Sequence, residues 1–162
     1  MEPTSPFKSR LIEFGKRAYQ RNKEKGAKTS TFDFLGFTHY LTRSRRGGVR
    51  LGRKTIGKRM RRRLMALNDR LRKLRNAFPF RKLYKHLYRI LKGYYNYYGF
   101  AGNYATLNKF AYAIERMWFK WLNRRSQRKS FNWEEFEVLL TRFPLPKPRI
   151  LKSYHWIYSA TM

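Results

Sequence analysis

The sequence predicts a mainly helical protein: a three-helix bundle with a small N-terminal β-hairpin, a short C-terminal helix and a Pro-rich extended tail. Three observations predict it. Before about residue 55, apolar residues alternate with a period of two on either side of Gly47-Gly48. After residue 55 they recur three and four residues apart, the period of a helix with one buried stripe. Near the C-terminus, Pro144, Pro146 and Pro148 stand too close together for helix and force an extended chain.

Residues 11–14 (LIEF) read as a short strand and residues 15–31, with Gly15, Gly26 and many cations, as a mobile loop. Phe32, Phe34, Gly36, Thr38 and Tyr40 alternate with Asp33, Leu35, Phe37, His39 and Leu41, which predicts one strand buried on both faces near its start. Gly47-Gly48 supplies a turn, and residues 49–53 (VRLGR) return as the second arm of a hairpin.

Met60, Leu64, Leu67, Leu71 and Leu74 form the first helical stripe, and Pro79 ends that helix or begins the next. Leu83, Leu87, Leu91, Tyr94 and Tyr98 form the second, stopped near Gly99 and Gly102. Leu107, Phe110, Ile114, Met117 and Trp121 form the third. No single helix can bury its own stripe, so the three are expected to pack together. Asn132 and Glu135 have the spacing of a capping box ahead of a short helix carrying Phe136, Leu139 and Leu140. Tyr154, Trp156 and Tyr158 make residues 150–162 a segment expected to dock back.

Charge narrows the function. The 162 residues carry 39 Lys and Arg against 9 Asp and Glu, a net +30, which repels itself and calls for a polyanionic partner. With 42% hydrophobic and 18% aromatic residues, the chain has the material for a core that disordered polycations lack. There is no cysteine, hence no disulfide framework, and His39, His86 and His155 have no metal-ligand spacing. No apolar run is long enough to span a membrane and no signal pattern opens the chain, so an intracellular, reducing compartment is expected.

Residues 43–75 hold 15 of the 39 cations and one acid, Asp69. A helix face that is merely solvated mixes both signs, because oppositely charged pairs four apart stabilise it and like pairs do the reverse. Lys58, Arg59, Arg62, Arg63 and Arg70, with Arg53 and Lys54 before them, are therefore candidate phosphate contacts. In residues 93–99 (GYYNYYG), Tyr94 and Tyr98 are expected in the core. Tyr95 and Tyr97 are expected at its edge, able to stack on unpaired bases; the alternative is that all four simply pack. Arg124, Arg125, Arg128 and Lys129 make a second basic cluster, more than helix-dipole compensation needs, and Arg116, Arg124 and Arg125 are expected to border a groove that Tyr95 and Tyr97 face.

No catalytic residue is predicted. Two-metal phosphoryl transfer needs clustered carboxylates, whereas Asp33 and Asp69 are the only aspartates and Glu134, Glu135 and Glu137 sit where a helix N-terminus favours acids. A Gly-rich phosphate loop and a Ser or Cys nucleophile motif are also missing.

In order and approximate spacing, residues 9–15 (SRLIEFG), 32–40 (FDFLGFTHY), 93–99 (GYYNYYG), 116–125 (RMWFKWLNRR) and 144–151 (PLPKPRIL) resemble the C-terminal part of bacterial group II intron reverse transcriptase–maturases. The resemblance covers about residues 8–151. It implies that residues 1–53 are a remnant of the polymerase palm, with Phe34, Leu35, Gly36 and Phe37 near the primer grip. Residues 54–130 would be the thumb, or maturase domain X, and residues 131–162 a short helix and tail.

The family's fingers, most of its palm, the Tyr-Ala-Asp-Asp motif and the zinc-dependent endonuclease domain of some members have no counterpart here. Met1 is accordingly expected to open a truncated or split gene product, or a deliberately made fragment. The resemblance implies a bacterial, cytoplasmic protein bound to RNA or nucleoid. Its partner would be group II intron RNA, with a DNA target, an RNA/DNA duplex or a separate fingers-and-palm chain as further ones. No cofactor is expected on this chain, and Mg2+ only with the RNA or an intact palm.

Overall fold

The computed structural model describes residues 11–44, 47–125 and 130–152. The elements run α1 (Lys16–Glu24), β1 (Phe32–Phe34), β2 (Phe37–Arg43), β3 (Val49–Thr55), α2 (Gly57–Ala77), α3 (Phe80–Tyr98), α4 (Tyr104–Asn123) and α5 (Trp133–Arg142). The protein is mainly helical with one small antiparallel sheet, as the sequence predicts. The chain divides into two compact units, Met1–Gly52 and Arg53–Met162, the division falling within β3. No helix among the described residues is long and apolar enough to cross a membrane.

In the first unit three expectations fail. Residues 11–14 form no strand, and the expected loop at 15–31 contains α1. Its sequence, KRAYQRNKE, consists mostly of good helix formers but has no apolar stripe, and Ala18 is its one buried residue. The expected single strand over 32–41 is instead a tight hairpin. Phe34 pairs with Phe37 across Leu35 and Gly36, whose φ values of 46° and 86° are both positive, as a type I′ turn requires. Gly36 takes that conformation freely, whereas Leu35 is strained by its Cβ.

A two-residue turn keeps the alternation in phase, which is why the two arms read as one strand. Phe32 and His39 are cross-strand partners whose rings stack at 4.8 Å, and Thr38 Oγ1 donates to Asp33 on the other face at 2.6 Å. Phe37 is buried, while Phe34 and Leu35 at the turn are 59% and 65% exposed. The sheet order is β1-β2-β3.

The second unit has one core, filled by the predicted stripes. Leu67 and Leu71 of α2, Leu83, Leu87, Leu91 and Tyr94 of α3, and Leu107, Phe110, Ile114 and Trp121 of α4 are buried together. Trp118 and Tyr95 join them, making the buried faces of α4 and α3 broader than the stripes predicted. α2 stops at Ala77 because Phe78 precedes a proline and is pushed to an extended φ, ψ of −115°, 141°; Pro79 then caps α3. The capping box of α5 is present, with Asn132 Oδ1 accepting from Glu135 N at 2.8 Å and Glu135 Oε2 accepting from Asn132 N at 3.1 Å. Phe136 is buried in the same core, so α5 packs as part of the bundle.

Two polar features lock this unit. Asn103 is fully buried and its amide is saturated: Oδ1 accepts from Thr55 N, and Nδ2 donates to Thr55 Oγ1 and to the Tyr98 carbonyl, each at 2.9 Å. It joins the end of β3 to the α3–α4 connection. The Pro-rich segment closes back at Gly99, whose carbonyl accepts from Leu151 N at 2.8 Å and Lys152 N at 3.0 Å, while Ala101 N donates to the Lys152 carbonyl at 2.9 Å. A Cβ at Gly99 would lie 2.5 Å from the Tyr95 carbonyl and 3.0 Å from that of Arg149, so the close approach needs glycine. Tyr84 Oη holds the other end of the segment by donating to the Pro144 carbonyl at 2.8 Å. Tyr154, Trp156 and Tyr158 lie outside the described residues.

Candidate nucleic-acid interface

α2 turns Leu67 and Leu71 inward, and the remaining arc carries the cations. Lys58, Arg59, Arg62, Arg63 and Arg70 are all exposed, as is Lys54 before the helix. The only ion pair of α2 among the described residues is Arg72 with Asp69, 3.9 Å apart and largely exposed. This face carries a field of one sign that its own acids do not neutralise.

Between α2 and α3 runs an open groove of about 710 Å³. Arg59, Arg62 and Arg63 form one wall; Arg89, Tyr94, Tyr97 and Tyr98 form the other. The ring of Tyr94 is buried and stacks on Phe110 at 3.7 Å; Tyr98 packs beside it at 4.6 Å. Tyr97 is 50% exposed and meets Tyr98 edge-on at 4.7 Å, so its ring is braced from one side. Burial raises the pKa of Tyr98, as does neighbouring Tyr97, against the opposing pull of Arg59 and Arg63. Burial also lowers the pKa of His86 on α3, reinforced by Arg70 and Arg89, so at neutral pH this region gains no charge from histidine. The arrangement offers guanidinium forks for phosphates beside a braced aromatic ring for a base.

Several predicted site residues lie elsewhere. Tyr95, expected at the core edge, is 3% exposed; it lies on the side of α3 that the Pro-rich segment covers, and a contact so distant in sequence leaves no periodic signal. The expected groove bordered by Arg116, Arg124 and Arg125 does not form. α3 and α4 run antiparallel, so Tyr97 lies near the start of α4, while those arginines lie toward the far end of a 20-residue helix, about 30 Å long.

Arg125 donates to the Phe78 carbonyl at 3.0 Å, a bond that ties α4 to the α2–α3 junction. Arg116 donates to Tyr112 Oη at 2.8 Å and lies 5.9 Å from the Trp133 ring; Arg124 stands over Trp121 at 5.6 Å. Arg53 is half-buried over Phe100 at 5.6 Å. Arg128 and Lys129 lie outside the described residues. Phe34, Leu35, Gly36 and Phe37 cluster at the hairpin turn of the first unit.

Arg89 was not anticipated. Its spacing of four and eight from Gly93 and Tyr97 places all three on one helical face, a signal the sequence does contain. Among the described residues no three His, Asp or Glu side chains gather to hold a metal ion.

Comparison with known families matches residues 58–135 to the group II intron, maturase-specific domain. No curated protein and no solved structure matches the chain significantly. The match begins within the first turn of α2 and ends within α5, enclosing the groove and both its walls. The match supports a group II intron maturase-type C-terminal region, the maturase-specific domain lying at residues 58–135.

Proposed function

We propose that this chain binds structured group II intron RNA through the basic face of α2 and the groove between α2 and α3, and supports splicing of that RNA. The observation that carries the reading is the groove itself, four arginines and a braced, half-exposed Tyr97 inside the family-matched segment. Splicing chemistry belongs to the RNA, and the protein's contribution is electrostatic. Closely packed phosphates repel one another, and a rigid array of guanidinium groups lowers the cost of bringing them together. A maturase-specific domain is not a polymerase domain, and with no carboxylate cluster in the sequence we assign the chain no catalysis of its own.

In this reading residues 1–53 are the end of a palm, Phe34 to Phe37 lie by the primer grip, residues 54–130 are the thumb, and residues 131–162 are the short helix and tail that follow it. The test is splicing of an intron RNA at a magnesium concentration too low for the RNA alone, with and without the full chain, together with sequencing of RNA that copurifies. Stimulation of the intron and its enrichment in the copurified pool support the reading. Equal recovery of unrelated RNAs and unchanged splicing would leave a generic nucleic-acid binder.

The exposed Phe34 and Leu35 favour one addition. Apolar side chains at a hairpin tip are a surface for a separate chain supplying fingers and palm, making this protein a non-catalytic subunit of a split reverse transcriptase. Co-expression with such a chain and copurification, lost in Phe34→Ser/Leu35→Ser, checks it.

A further inference from the structure

On the side of α3 away from the groove is a second open cavity, about 560 Å³, bordered by α3, α4, the end of α5 and the segment Pro144–Pro148. Its size is that of pockets that bury small organic groups. Tyr95 lines it, and the Tyr95 hydroxyl is buried with no hydrogen-bond partner. Glu115 lines the same cavity. It is the sole acid of α4, makes no ion pair among the described residues, and stands near enough to Tyr95 to add to the effect of burial in pushing that tyrosine's pKa up to about 12.

A carboxylate here is unexpected in a chain of net charge +30. It repels phosphate, so the cavity is not another phosphate site. It accepts N–H groups, and an exocyclic amine of a nucleobase is the N–H donor that RNA offers in quantity. Tyr104 and Tyr112 line the cavity and are more than half exposed, giving faces on which a base can stack. Lys109 and Lys147, also in its wall, are placed for the phosphates flanking such a base.

We propose that this cavity takes one unpaired, amine-bearing nucleobase of the bound RNA, adenine, cytosine or guanine, whose amine donates to Glu115 while its ring stacks on Tyr104 or Tyr112. Uracil has no amine, and its one Watson–Crick N–H lies between two carbonyl oxygens that the carboxylate repels, so it is disfavoured. This deepens the RNA-binding reading above and rests on it.

The test uses the full chain and fluorescently labelled single-stranded RNA: an all-uridine dodecamer, and the same dodecamer with one central adenosine, cytidine or guanosine. At least one substituted oligomer is expected to bind about tenfold more tightly than the all-uridine one. Glu115→Ala, at an exposed position that leaves the fold intact, should erase the preference and leave all-uridine affinity within about twofold. Equal binding of all four oligomers by the unmodified chain overturns the proposal, and so does a preference that survives Glu115→Ala. The triple variant Arg59→Glu/Arg62→Glu/Arg63→Glu keeps the two readings apart. It should weaken all four oligomers by a common factor with the preference ratio unchanged; unchanged affinity there counts against the groove alone. Failure of every oligomer to bind removes both.

Discussion

Facing α2, helix α3 contributes Arg89, Tyr94, Tyr97 and Tyr98 to a groove whose opposite wall is three arginines. Facing the Pro-rich segment, it contributes Leu91 and Tyr95 to a cavity whose opposite wall carries Glu115. Both sides use tyrosine against a charged neighbour, with opposite sign. On the first side the cations hold Tyr98's pKa back against burial; on the second the carboxylate adds to burial at Tyr95. The difference teaches that a run of tyrosines has no single role. Each ring's function follows from the helix or segment that covers it.

The largest effect expected on this contrast comes from the buried ring between the two sides. Tyr94→Ala removes the stack on Phe110 and leaves a cavity, and should cost about 3–5 kcal/mol of stability, lowering the melting temperature and weakening every RNA alike. A mutant that melts normally would show that the α3–α4 contact is not the centre of the core. The Arg59→Glu/Arg62→Glu/Arg63→Glu variant should lose on the order of a hundredfold in RNA affinity. The slope of log affinity against log salt should fall by about 2, roughly 0.7 for each phosphate contact removed from single-stranded RNA. Anisotropy titrations across salt measure both, and an unchanged slope in a folded variant would mean that the α2 face only meets solvent.

Asn103→Ala strands the amide and hydroxyl of Thr55 and should cost about 2–3 kcal/mol in a denaturant titration, with no specific loss of RNA binding beyond that. Tyr97→Ala should do the reverse, shifting stability by less than about 0.5 kcal/mol while weakening RNA by about 1–2 kcal/mol. Comparable losses in both assays would place Tyr97 in the core after all.

The smallest effect is a pH dependence. The folded-state pKa of Tyr95 is raised to about 12, above its ordinary value of 10.0, so its contribution is full below pH 10 and lost as pH rises toward 12. Tyr95→Phe should flatten that part of the stability–pH curve, and an identical curve for the variant would exclude the titration.

The bundle was legible because burial there follows the helix period: Leu67, Leu71, Leu83, Leu87, Leu91, Phe110 and Ile114 sit where the three- and four-residue spacings put them. The cations of α2 were legible for the complementary reason, since a one-signed helix face forgoes the pairing that stabilises ordinary surfaces. What escaped has local causes too. α1 lacks an apolar stripe, and the turn at Leu35 and Gly36 hides inside an unbroken alternation. Tyr95 and Glu115 escaped because the wall that gives them meaning, Pro144–Pro148, is more than twenty-five residues away in the chain. Periodicity records which face of an element is covered. It does not record by what.

The return of the chain to Gly99 bears on the order in which the bundle assembles. Residues 99 and 152 are separated in sequence by α4 and α5, so this contact closes a long loop and is expected to form late in folding. Three prolines keep the unfolded segment stiff, so docking it sacrifices little chain freedom. Hydrogen exchange should accordingly resolve two tiers, with the amides of Leu151 and Lys152 opening as one unit well before those of the α3–α4 core.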